Sequence, residues 1–154
     1  ISKMRKSRNN SEDTQSKETT STEINVVRVL VVEDNKLNNV MFTKMLERML
    51  SKIYGNVVVD SVDDGKKAVE KVKSEVYDVV FMDISMPVMD GKEATKRIRA
   101  MKKIIQPIII ATTAQVATEW KEMAMEGLLK KPIKMSGLEK LWKSLDLKIK
   151  KKSI

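Results

Sequence analysis

This 154-residue sequence contains neither cysteine nor histidine. Lack of cysteine removes disulfides, thiol nucleophiles and cysteine metal sites. Lack of histidine removes a Ser-His-Asp triad, imidazole ligation and any phosphohistidine formed within the chain. Aromatic residues make up only 4%, and no stacking motif interleaves the lysines, which argues against a nucleic-acid partner. No apolar run approaches membrane-spanning length and no signal-peptide pattern is present, so the chain reads as soluble, without membrane contact, and cytoplasmic or nuclear. Hard-cation chemistry on carboxylates stays open.

The length suits one domain with a full core. Lys plus Arg exceeds Asp plus Glu by nine, and the excess is spread as +1 over 1–25, +5 over 26–145 and +3 over 146–154. Residues 1–25 are mostly Ser, Thr, Asn and charged residues, and they cannot bury enough surface to fold alone. They are expected to be a polar linker or tail, with a domain over 26–146 and a basic, solvated tail over 147–154.

Within that domain, apolar runs alternate with helical spacings. Val26 to Val32 is nearly all β-branched or Leu and reads as a central strand. It ends on Glu33 and Asp34, after which Leu37, Val40, Met41, Met45 and Met49 mark one face of a helix. Val57 to Val59 is a short second strand. Asp63 or Asp64 then opens a helix with Val62, Ala68, Val69, Val72 and Val76 inward. Tyr77 to Met82 is a third, buried strand that delivers Asp83 to its end, and Ala94, Ile98 and Met101 carry the helix after it.

Pro107 starts a fourth strand, Ile108 to Ala111, which ends on Thr112 and Thr113. Val116, Trp120, Met123 and Ala124 predict a fourth helix reaching Gly127. Leu128 to Pro132 holds a very short fifth strand. Leu138, Leu141, Trp142 and Leu145 face inward on a last helix that dissolves into Lys148 to Lys152. The alternation predicts an α/β fold, a doubly wound five-stranded parallel sheet with helices on both faces.

Ligands of open α/β sheets bind outside the carboxyl ends of the strands. Those ends carry Glu33 and Asp34, Asp83, Thr112 and Lys131. Three carboxylates brought together repel one another, and a hard divalent cation such as Mg²⁺ would relieve that. A carboxylate beside a cation and an ammonium can attack a phosphoryl group. Plainer roles are open to each residue: Asp83 as a loop or cap aspartate, Glu33 and Asp34 as helix caps, Thr112 as a strand-end hydroxyl, Lys130 in place of Lys131. Asp90-Gly91 is most simply a turn, and Trp120 is either core or an exposed anchor.

Four motifs in order carry a family resemblance: the run Val31 to Val40 with its acidic pair, Phe81 to Gly91 around Asp83, Pro107 to Thr112, and Lys131-Pro132. Together they resemble the response-regulator receiver domain of two-component phosphorelays, most closely receivers of hybrid histidine kinases. The resemblance implies a flavodoxin-like strand order 2-1-3-4-5, with Asp83 as phosphoacceptor for a phosphoryl group from a histidine-phosphotransfer protein or histidine kinase domain. It implies Mg²⁺ held by Glu33, Asp34, Asp83 and the backbone carbonyl of Ser85, with Thr112 and Lys131 meeting the phosphoryl group and a cis Lys131-Pro132 bond. Such a domain catalyses at most its own phosphorylation and dephosphorylation. In a hybrid kinase it would belong to the cytosolic portion.

Two departures accompany the resemblance. The stretch from Gly127 to Lys131 is a few residues short of the family pattern, which predicts a truncated or shifted fifth strand. The switch position three before Lys131, usually aromatic, is Leu128. Both features favour the rival expectation, a pseudo-receiver that works through its surface without phosphorylation.

Overall fold

The computed structural model describes residues 26–86, 88–115 and 118–152. The expected tail over 1–25 lies outside the described residues, as do Pro87 and Val116. Strands β1 (Val27–Val32), β2 (Val57–Val62), β3 (Val79–Asp83), β4 (Ile108–Thr113) and β5 (Gly127–Lys130) alternate with helices α1 (Lys36–Tyr54), α2 (Gly65–Ser74), α3 (Gly91–Ala100) and α4 (Met135–Lys152). All strand pairs are parallel, in the order β2-β1-β3-β4-β5, which is the order the family resemblance implies. Among the described residues, no helix is long and apolar enough to cross a membrane.

Each central strand buries both faces because side chains alternate across the pleat. Val29, Val31, Phe81 and Ile110 meet Phe42, Leu46 and Leu50 of α1 and Leu138 and Trp142 of α4. Leu30, Val32, Val80 and Ile109 face the other way, onto Ala68 and Val72 of α2 and Ala94 and Ile98 of α3. Each of the first three helices starts on a side-chain cap. Asn35, Asp64 and Asp90 accept backbone N–H bonds from Asn38, Lys67 and Glu93 at 3.0, 2.8 and 2.9 Å, satisfying donors the helix start leaves open.

Four sequence expectations change. α1 turns Phe42, Leu46, Met49 and Leu50 inward, while Leu37, Val40 and Met41 stay 68%, 50% and 55% exposed. The helix carries two overlapping apolar stripes, and the one holding the aromatic ring packs on the sheet, Phe42 meeting Phe81 edge-on at 4.9 Å. α2 ends at Ser74, leaving Val76 exposed, and Val62 belongs to β2.

Among the described residues, the expected fourth helix is replaced by a 3-10 turn, Glu119–Lys121. β5 is short, yet it pairs residue for residue with β4 from Ile110↔Gly127 to Thr113↔Lys130, so the compact crossover leaves the strand in register. α4 continues to Lys152, because Ile149 extends its buried stripe and lysine is a good helix former.

Two phenols, a half-buried Tyr54 and a buried Tyr77, tie distant elements together. The Tyr54 hydroxyl donates to the Asp146 carboxylate and accepts from Trp142 Nε1 at 2.9 Å, joining α1 to α4. The Tyr77 hydroxyl lies 2.6 Å from Asp60 Oδ2 and 2.8 Å from Glu75 Oε2. Burial, and then the adjoining carboxylates, push Tyr54 up to about 12 and Tyr77 higher still.

The sequence has two tyrosines, so a spectrophotometric titration of the folded protein should show no tyrosinate step near the ordinary value of 10. The unfolded chain loses these protons first. It therefore binds fewer protons than the folded state above that value, and stability falls as pH rises from 10 towards 12. A step near 10 in a chain that is still folded would contradict this.

Candidate functional site

Parallel order places the carboxyl ends of β1, β3, β4 and β5 along one edge. Asp83 pairs in register with Thr112, and Ile84 N–H donates to the Thr112 carbonyl at 3.2 Å, fixing the end of β3 against β4. From β5, Lys131 N–H donates to the Thr113 carbonyl at 2.7 Å, and the Lys131-Pro132 bond is cis. The Lys131 ammonium then reaches back over the sheet. It donates to Glu33 Oε2 at 2.5 Å and to Asp83 Oδ2 at 2.8 Å.

Glu33, Asp83 and Thr112 are buried, at 5%, 3% and 2% exposure, whereas Asp34 is exposed. One carboxylate oxygen from each of Glu33, Asp34 and Asp83 falls within 4.8 Å of the others. Glu33 and Asp34 do not cap α1, since Asn35 does so. Asn35 N–H instead donates to Glu33 Oε1 at 3.3 Å. Lys130 is exposed and makes no ion pair among the described residues, so the neighbouring lysine, Lys131, is the one that enters the crevice. Ser85 is exposed, and its N–H donates to Asp83 Oδ1 at 2.9 Å.

Burial raises Glu33 above the ordinary carboxylate value, and the bond and attraction of Lys131 only partly offset it. Burial opposes the Lys131 charge too. There the bonds to Asp83 and Glu33 win and hold the ammonium above the usual lysine value. Against three carboxylates the crevice offers one ammonium, so two negative charges remain to be balanced when all three are ionised. Hard oxygen donors with that charge fit a divalent cation such as Mg²⁺.

Three residues that position the site carry little signal in the sequence. Asn39 Nδ2 donates to the carbonyls of Glu33 at 3.1 Å and Val62 at 3.3 Å, clamping the ends of β1 and β2 to α1. Asp90, expected as a turn, caps α3. Gly91 follows it where a Cβ would overlap the Asp83 carbonyl oxygen and come within 2.9 Å of Ile84 Cα. Gly91→Ala is therefore expected to cost about 1–3 kcal/mol by overpacking, read as a lower urea midpoint. An unchanged midpoint would show that the loop gives way freely.

A cleft of about 300 Å³ opens beside Glu33 and Lys131, walled by Met41, Phe42, Met45, Ala114 and Pro132. It adjoins the part of α1 whose Leu37 and Val40 are exposed.

An open parallel sheet with this strand order and an acidic crevice at its carboxyl edge defines a flavodoxin-like α/β module of the doubly wound class. More narrowly, residues 29–143 match the response regulator receiver domain, and the chain belongs to that family. It is 35% identical over 126 residues to hybrid signal transduction histidine kinase L of Dictyostelium discoideum, covering 75% of this chain and 7% of the relative's length.

The receiver domain of sensor histidine kinase PA1611 from Pseudomonas aeruginosa PAO1, solved with magnesium in its active-site cleft, superposes with a TM-score of 0.65 at 33% identity, covering 75% of this chain and 93% of that one. The receiver domain of Saccharomyces cerevisiae Ssk1, solved with the histidine phosphotransfer protein Ypd1, gives 0.63 at 26% identity, covering 74% and 84%.

Proposed function

We propose that this receiver domain takes a phosphoryl group from a phosphohistidine on another chain onto Asp83, in a Mg²⁺-dependent phosphorelay. The observation that carries the reading is the buried Asp83 carboxylate, held by Lys131 at 2.8 Å beside the acidic pair. An Asp83 oxygen attacks phosphorus. The new P–O bond forms as the P–N bond to imidazole breaks, and the electron pair returns to the imidazole nitrogen, which is then reprotonated. Glu33, Asp34, Asp83 and the Ser85 carbonyl would hold Mg²⁺. When bound, the ion neutralises charge on the transferred oxygens. Lys131 supplies a second positive charge to those oxygens and Thr112 a hydroxyl donor.

The donor is a histidine-phosphotransfer protein or histidine kinase domain, and Leu37, Val40 and Met41 with the adjoining cleft give it an apolar surface next to Asp83. A hybrid kinase is the parent architecture this reading favours, with the domain on its cytosolic side. A second reading, an interaction module that works without phosphorylation, draws support from Leu128 at the switch position and from the 3-10 turn that, among the described residues, precedes β5.

The two readings separate when a phosphorylated phosphotransfer protein is mixed with the chain and both are weighed by intact mass. Loss of the group from the donor and its gain here, blocked by chelating the metal, supports the relay. No gain from that donor or from acetyl phosphate overturns it in favour of the second reading.

A further inference from the structure

A second concavity lies apart from the crevice, between the last turns of α1 and the first half of α4. This groove, of about 470 Å³, shares no lining residue with the cleft at Glu33. Met49 and Trp142 line it and are buried, at 8% and 2% exposure, while Ile53 stands 52% exposed at its side. Arg48, Lys52 and Lys143 line it too, with Glu139 as the one acidic residue. Trp142 is held in place by its bond to Tyr54, so the apolar floor is preformed.

The charges around this floor are unbalanced. Several cations elsewhere on the surface sit on acids: Lys67 on Asp63, Arg97 on Glu93, Arg99 on Glu126. Among the described residues, Arg48, Lys52 and Lys143 make no ion pair. An apolar floor with three unneutralised cations around it attracts a ligand that is apolar on one side and anionic at its edges.

We propose that the α1–α4 groove is a docking site for an acidic amphipathic segment of a partner protein. Apolar anchors of the segment sit on Met49, Ile53 and Trp142, and its carboxylates meet Arg48, Lys52 and Lys143. A second copy of this chain is the poorer occupant, because a two-fold contact would bring the same patch, and so the same cations, face to face. A nucleic-acid strand would pair its phosphates with few cations and leave the apolar floor uncovered. The groove is separate from the crevice, so the segment can stay docked while Asp83 remains open to its donor.

The test uses Trp142 as the reporter. Trp120→Phe leaves it the sole tryptophan of the two in the chain. Displayed peptides of about 16 residues, long enough to lay a helix face in a groove, are selected on the parent chain and counter-selected on Arg48→Glu/Lys52→Glu. Enriched peptides should carry carboxylates flanking apolar positions at helical spacing and shift Trp142 emission saturably. They should bind the charge-reversed variant about tenfold more weakly or worse. Ile53→Asp, at an exposed position, should weaken them similarly, with Mg²⁺-dependent labelling by acetyl phosphate unchanged in either variant.

The proposal is overturned if no peptide depends on the groove, if the enriched peptides are basic or neutral, or if charge reversal leaves affinity unchanged. It is also overturned if light scattering shows the chain pairing with itself through this face.

Discussion

Asp83→Asn is expected to abolish the gain of one phosphoryl group that the proposed function predicts for the parent chain with Mg²⁺ and acetyl phosphate. The amide keeps the shape of the carboxylate and an oxygen for the Ser85 N–H, so the fold survives. What it loses is the proposed nucleophile, and loss of a nucleophile costs on the order of 10³-fold or more in rate. The variant should also bind Mg²⁺ more weakly than the parent, with two carboxylates left of three, a difference a fluorescence titration would read. Relief of the repulsion that Asp83 exerts on Glu33 lowers the Glu33 pKa. Labelling of the variant at the parent rate would move the acceptor to another residue.

Lys131→Met acts in the opposite sense on the same charges. It removes the ammonium at 2.5 Å from Glu33 and 2.8 Å from Asp83, leaving two buried carboxylates facing each other. Breaking a buried pair from one side costs about 3–5 kcal/mol, so the urea midpoint of the Mg²⁺-free variant falls well below the parent's. Added Mg²⁺ should raise the variant's midpoint more than the parent's, since it supplies the missing positive charge.

The pH dependence has a definite sign. Without Lys131, Glu33 loses the bond and attraction that do most to lower its pKa and keeps only the Asn35 N–H bond, so its folded value rises further above the unfolded 4.5. The folded variant then binds more protons than the unfolded chain as pH rises from 4.5, and stability declines over that window. Its deficit relative to the parent is therefore smallest in acid and grows towards neutrality. A deficit indifferent to both Mg²⁺ and pH would show that Lys131 is not balancing these carboxylates.

The strands were legible because a strand covered on both faces must be apolar throughout, as Val79 to Met82 and Ile108 to Ala111 are. Glu33, Asp83 and Lys131 were legible as charges closing such runs. The inward face of α1 was not. Leu37, Val40 and Met41 are as apolar as core residues, and periodicity alone does not say which of two stripes meets the sheet.

Trp120, left open between core and exposed anchor, and Met123 are partly buried against the core, but helical spacing misread the local backbone, because a 3-10 turn brings them there as well as a helix would. Asn39 was illegible for another reason. A mid-helix asparagine gives no hint that it bonds carbonyls of two strand ends, and only the fold brings those together.

The pairing of Lys131 with Glu33 spans 98 positions and that of Tyr54 with Asp146 spans 92. Both contacts tie the two ends of the domain together, and such non-local closure is the slow kind. As the chain emerges from the ribosome, Glu33, Asp34 and Asp83 are made before Lys131. A chain cut before β5 would thus lack the ammonium that opposes these carboxylates, and it is the final strand that brings it to the crevice.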